Sequence, residues 1–281
     1  MTRFPETARP TPHNQFSFSR LRTFDQCPLR YRLRYVKGMA EAFRSIETHL
    51  GSTVHEVLEW LYRERERGAD PAPQATLESF SAVWHEKRGD DLAVVRVGES
   101  EDDYLRRGRE MLDRFHRTVF ALDRSTTVAL EQRLSRQLAP HVVFTGFADR
   151  VGRTEGGRLF VVDYKTSRSR GNGTDFSEGL QVPLYVACSL AELDEAEALG
   201  GYHYLVLGET SWRTVSREQG EALLGRFLTL AGLALAASEF PSRPGTLCAW
   251  CGFNAICPDA QVPDDFSGGL RLARSRQVPG G

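Results

Sequence analysis

Asp163 and Lys165 stand two apart at the end of the apolar run Leu159-Phe160-Val161-Val162, and Asp149 closes the earlier segment Gly146-Phe147-Ala148-Asp149. Alternate residues of a strand share a face, so Asp163 and Lys165 project together while Tyr164 points the other way. A Gly-marked turn between the two segments makes them a β-hairpin, with Asp149 ending the strand next to Asp163. Two carboxylates so placed can converge on one hard divalent cation, with Lys165 beside it. That is the makings of a metal-dependent phosphodiesterase site with Asp149, Asp163 and Lys165 as its catalytic residues. A solvated strand face or a local ion pair would show the same residue types. The apolar run argues against that: a strand buried on both sides cannot end in ionised groups without a partner or a metal. The polar stretch from Thr166 to Asp175 then reads as an exposed loop at the rim of the site.

Two further constellations accompany the first. Gly51-Ser52-Thr53-Val54-His55-Glu56 opens a stretch with Val54, Leu58, Leu61 and Tyr62 at helical spacing. Ser52 is its expected N-cap and His55 falls in the first turn. Residue 59 is Glu rather than His, so a zinc-protease pair is excluded. Gln181 and Tyr185 lie four apart and share a helical face, just after the rim loop. Four cysteines then divide between the two ends of the chain: Cys27 near the start, and Cys248-Ala249-Trp250-Cys251 with Cys257 near the end. Thiolates at this spacing suit a four-iron cluster or a structural zinc. Disulfides are the rival, but without a signal peptide or transmembrane run a reducing cytoplasmic setting is expected, and metal is favoured. Such a site would clasp both ends of the chain together. Cys188, inside an apolar run, is most simply a buried thiol.

The chain of 281 residues has 41% hydrophobic and 26% charged residues, a composition that suits a globular core. Its formal net charge of −1 excludes nucleic-acid binding driven by a global positive field. One local basic patch exists, in which Arg20, Arg22, Arg30, Arg32, Arg34 and Lys37 interleave with Phe24, Tyr31 and Tyr35. Such a patch can neutralise phosphates and stack on bases, or be a merely solvated helix face. No GxxxxGK[ST] loop is present, so an ATP-driven motor is excluded and any unwinding would belong to a partner.

These anchors divide the chain. Residues 1–15 are expected to be disordered, 16–261 to form a single domain and 262–281 a flexible tail whose Arg271, Arg274 and Arg276 carry charge. Helices are expected over 17–37, 52–67, 176–193 and 217–238. A charged helical insertion is expected within 68–125. Strands are expected near 127–134, 142–150, 159–165 and 202–207. The order gives an α/β fold, a mixed central sheet flanked by helices, closed by a C-terminal cysteine cluster over 245–260.

Taken together, Cys27, His55, Gly146-x-x-Asp149, Asp163-Tyr164-Lys165, Gln181-x-x-x-Tyr185 and Cys248, Cys251, Cys257 resemble, in order, the RecB-like branch of the PD-(D/E)xK nucleases. That branch includes CRISPR-associated RecB-like nucleases and the iron-sulfur nuclease domain of AddB. The resemblance implies a restriction-endonuclease-like fold. It implies that His55, Asp149, Asp163 and the Tyr164 carbonyl bind Mg or Mn, and that Lys165 assists the attacking water. It implies that Gln181 and Tyr185 touch DNA, with Arg20, Arg22 and Arg30 from the basic patch as further contacts. It favours a 4Fe-4S cluster on Cys27, Cys248, Cys251 and Cys257. The activity implied is a DNA exonuclease of repair or CRISPR spacer processing, acting on single strands or DNA ends. A helicase or CRISPR adaptation protein is the implied partner, with no membrane involved. The alternative is a catalytically silent cluster-bearing DNA-binding or scaffold subunit.

Overall fold

The structure, a computed structural model, describes residues 14–167 and 178–262. Six strands form one mixed sheet. β5 (Val142–Arg153) is its centre: β4 (Thr126–Ala139) runs antiparallel along one edge, while β6 (Leu159–Lys165) pairs antiparallel with its far end. The two-residue β1 (Gln15–Phe16) runs parallel to Val143 and Phe144. β7 (Glu197–Tyr204) joins β6 in parallel, and β8 (Glu209–Ser216) closes the sheet antiparallel to β7. β2 (Arg44–Ser45) and β3 (Leu92–Ala93) make a separate two-residue pair. The mixed sheet flanked by helices is the fold class expected from the sequence, consistent with a restriction-endonuclease-like arrangement.

Alternation along β6 sorts its side chains between two apolar layers. Leu159 and Val161 pack with α1 (Phe18–Gln26), α6 (Glu178–Glu192) and α7 (Arg217–Ala236). Phe160, Val162 and Tyr164 pack with α3 (Ile46–Glu66), α4 (Pro73–Glu86) and α5 (Glu101–Thr118). Burial of the β6 run on both faces follows from this sandwiching. By the same alternation Asp163 and Lys165 fall on the α6 side.

Several boundaries differ from the sequence expectation for physical reasons. α3 begins at Ile46, capped by Ser45, because Ile46, His49 and Leu50 extend the buried stripe backwards. Ser52 is therefore not an N-cap; its hydroxyl donates to the His49 carbonyl within the helix. His55 lies at mid-helix. Residues 17–37 do not form one helix: α1 stops before Cys27, whose extended backbone precedes Pro28 at the start of α2 (Pro28–Tyr31), and a π-turn over Arg32–Val36 follows. Asp149 lies within β5 rather than at its end. Gln15, placed by the sequence in the disordered leader, is in β1. β7 starts at Glu197, ahead of the expected strand, and β8 has no counterpart among the expected strands. Gly200 and Gly201 read as breakers, yet they are needed for close approach: a Cβ on Gly201 would lie 2.3 Å from the Trp212 ring. Residues 1–13, the rim loop from 168 to 177 and the tail from 263 lie outside the described residues.

Candidate active site

The site forms at the C-terminal end of β6, where the two helical layers meet. The register Arg150↔Val162 brings Asp149 alongside Asp163 one step further on. There the strands part, and the Asp149 Oδ2 accepts the Tyr164 N–H at 2.7 Å in place of a ladder partner. From α3, His55 reaches across the opening. Its Nε2 donates to the Tyr164 carbonyl at 2.8 Å, which leaves Nδ1 facing Asp149 Oδ1 at 3.4 Å. Asp149 and Asp163 are 8% and 2% exposed, so the sheet places both carboxylates in the interior.

Asp163 is held on the α6 side. Lys165 Nζ lies 2.7 Å from its Oδ2, a charge contact without an aligned hydrogen bond. Gln181 Nε2 donates to Asp163 Oδ1 at 3.0 Å and to the Tyr185 hydroxyl at 3.0 Å, while Gln181 Oε1 accepts from Lys165 at 2.9 Å. Gln181 thus ties the acid, the base and the tyrosine into one network. Tyr185 is 5% exposed and packs over Gly146, with its hydroxyl turned to Gln181.

Sequence reasoning missed one member of the site. Glu131 on β4, opposite Asp149, has φ +45°, the left-handed region that L residues avoid. Its carboxylate, His55 and Asp149 offer ligand atoms that all lie within 4.8 Å of one another. Asp163 is not in this close trio; Lys165 and Gln181 draw it to the α6 side. A non-Gly residue at positive φ is not legible in the surrounding Leu-Glu-Gln-Arg pattern, which reads as ordinary polar alternation.

The charges of the site act strongly on one another. Burial, then the Asp149 carboxylate, push Glu131 up to about 7. Burial and Asp149 likewise raise Asp163 to about 6, although Lys165 and His55 oppose the rise. Burial alone would lower His55, but the carboxylates of Asp149, Asp163 and Glu131 outweigh it and raise it to about 9. Around neutral pH, His55 therefore holds a proton and Glu131 holds one about half the time, and a divalent cation would displace both. The donor set of carboxylates, imidazole and a backbone carbonyl fits such a cation.

The four cysteines of the expected cluster lie in another part of the fold. Cys27, Cys248, Cys251 and Cys257 all line one cavity of about 200 Å³, together with Arg30. Cys27 stands at the bend between α1 and α2, outside both helices. The last segment is docked there by Leu29 N–H donating to the Pro241 carbonyl at 3.2 Å and by Tyr31 stacking on Phe240 at 6.3 Å. Cys188 is buried in α6, apart from this cavity, and burial pushes its thiol up to about 12. In the basic patch, Arg20 is 8% exposed, donates to the Gln15 carbonyl at 2.6 Å and covers the Phe16 ring. Arg20 is thus engaged within the fold, against β1. Arg30 pairs with Glu41 at 3.0 Å, and Arg22 is half-exposed. Among the described residues no helix is long and apolar enough to cross a membrane.

Comparison with known proteins matches residues 15–258 to the model of the PD-(D/E)XK nuclease superfamily. An ATP-dependent helicase/deoxyribonuclease subunit of Streptococcus agalactiae, in its serotype Ia, V and III strains, is 28% identical over 178 residues. That match takes in 60% of this chain but only 16% of the relative's length. The crystal structure of SSO0001 aligns over 90% of both chains at 17% identity, with a TM-score of 0.40.

Proposed function

This chain belongs to the PD-(D/E)XK nuclease superfamily, and from that premise we propose that it is a divalent-metal-dependent deoxyribonuclease acting exonucleolytically on DNA ends or single strands. The observation that carries the proposal is Asp149 and Asp163 side by side on paired strands, with His55 against Asp149 and Lys165 against Asp163. Asp149, Asp163, His55 and the Tyr164 carbonyl would hold Mg or Mn. Such a cation supplies a polarised phosphoryl oxygen and a bound water of lowered pKa.

The chain's own residues do the rest. Lys165 Nζ, tethered by Asp163 and Gln181, holds a positive charge where negative charge builds on the phosphoryl group, and can orient the attacking water. His55 fixes the Tyr164 carbonyl from the opposite layer. Half-exposed Arg22 and the exposed Arg32 and Lys37 would meet the phosphate backbone.

The four cysteines lining one cavity support a 4Fe-4S cluster. A single zinc would draw four thiolates to about 3.8 Å apart, from a Zn–S bond of about 2.3 Å. Among the described residues no three of the thiols close within 4.8 Å of one another, so the choice of an iron cluster over zinc rests on the sequence resemblance. The S. agalactiae relatives are named as helicase/deoxyribonuclease subunits, which supports a helicase as partner. A CRISPR adaptation protein is the other partner suggested by the sequence resemblance. A cytoplasmic location agrees with a reduced cluster of thiols.

The test is release of acid-soluble nucleotides from end-labelled single- and double-stranded DNA in Mn, Mg or EDTA. Metal-dependent release by the wild type, lost in Asp163→Ala, is the expected result, and the labelled end gives the polarity. Wild-type turnover by folded Asp163→Ala would sink the assignment.

A further inference from the structure

We propose that Glu131 is a ligand of the divalent cation site. The inference deepens the nuclease reading and rests on it. Glu131 stands opposite Asp149 across the β4–β5 ladder, and its carboxylate closes a trio with His55 and Asp149 inside 4.8 Å. Ligands on opposite sides of one octahedral Mg lie about 4.2 Å apart, so a small contraction seats all three on one ion.

The backbone is bent to put it there. Before Glu131, Ala129 faces the α6–α7 layer and Leu130 the α3–α5 layer; after it, Leu134 and Leu138 face the α6–α7 layer. Alternation by twos cannot join Ala129 to Leu134, and the left-handed Glu131 is where the phase changes. A glycine would make that turn without strain, yet a glutamate occupies it. Lys165 is turned to Asp163 and Gln181, and His55, the one cationic group beside Glu131, is shared with the Tyr164 carbonyl and Asp149. A carboxylate held in a strained backbone among other carboxylates is what a cation site requires and what a purely structural position would not keep.

Isothermal titration with Mn on the full chain tests this, using wild type, Glu131→Gln and Glu131→Gly, with thermal unfolding in EDTA run alongside. We expect Mn binding weakened by about tenfold or more in both variants. In EDTA both should unfold at or above the wild-type temperature, Glu131→Gly the higher because glycine takes the left-handed backbone without strain. Wild-type Mn affinity in Glu131→Gln overturns the proposal. So does a lower unfolding temperature for both variants in EDTA, because Glu131 would then be a structural residue. No Mn uptake by the wild type would instead remove the nuclease reading on which the inference stands.

Discussion

Gly146 and Tyr185, one on β5 and one on α6, are coupled through space. A Cβ added to Gly146 would lie 2.4 Å from Tyr185 Cε1 and 3.2 Å from its Cδ1 and Cζ. Gly146 is outside the left-handed region, so Gly146→Ala acts by steric crowding alone. The Tyr185 ring is 5% exposed and leans on Phe144 at 6.3 Å between centroids, so it has little room to retreat. Overpacking of this kind costs about 1–3 kcal/mol. At about 2–4 °C per kcal/mol for a chain of this size, unfolding should fall by roughly 2–12 °C. The displaced hydroxyl would also move Gln181, and with it the contacts to Asp163 and Lys165. A shift near 1 Å in such a site can cost about a hundredfold in turnover. Scanning fluorimetry and nucleotide release read the two effects separately. Tyr185→Leu in the Gly146→Ala background should recover unfolding temperature but not turnover, since the space returns and the hydroxyl does not. Gly146→Ala indistinguishable from wild type in both assays would refute the coupling.

Acid should weaken the fold through His203. Burial lowers it to about 4 at 2% exposure, so the unfolded chain takes up a proton near pH 6.5 that the folded chain refuses. Stability is therefore full above about pH 6.5 and falls as pH drops towards 4, by up to about 3 kcal/mol. Urea midpoints of wild type and His203→Gln across that window should diverge in slope, and parallel profiles would exclude the residue. For the cysteine cavity, anaerobically purified wild type should absorb in the visible and lose that band in Cys248→Ser, with a fall in unfolding temperature in Cys27→Ser and Cys248→Ser alike. A colourless wild type carrying zinc would replace iron with zinc.

Much of the catalytic geometry is legible in the sequence because it obeys simple periodicity. Asp163 and Lys165 share a face by alternation, and the apolar run before them fixes their burial. Gln181 and Tyr185 share a helical face and do meet, through Gln181 Nε2. What stays hidden depends on contacts between distant segments. The start of α3 at Ile46 follows from tertiary packing of Ile46 and His49, which no local cap signal announces. The first half of β7 is masked by its glycines, because the Trp212 ring that crowds Gly201 comes from β8 and the Val182 and Val186 side chains that crowd Gly200 come from α6. Tyr185 and Arg20 belong to residue types that touch nucleic acid, yet both are turned inward, and residue type carries no information on which way a side chain faces.

Glu131 shows where periodicity itself must fail. A sheet between two helical layers has alternating residues committed to one layer or the other, which leaves no position for a carboxylate that belongs to the seam between them. Asp163 reaches that seam by lying at the end of β6, where the ladder stops. Asp149 lies inside β5, where Phe144 and Ala148 keep one phase and Val151 the other, so the strand changes face around it. The partner strand must change phase with it, and the left-handed backbone of Glu131 accomplishes this at a cost of about 1–2 kcal/mol. The site and the strain thus have one cause: both strands switch faces at the place where His55, from the opposite layer, comes within 3.4 Å of Asp149.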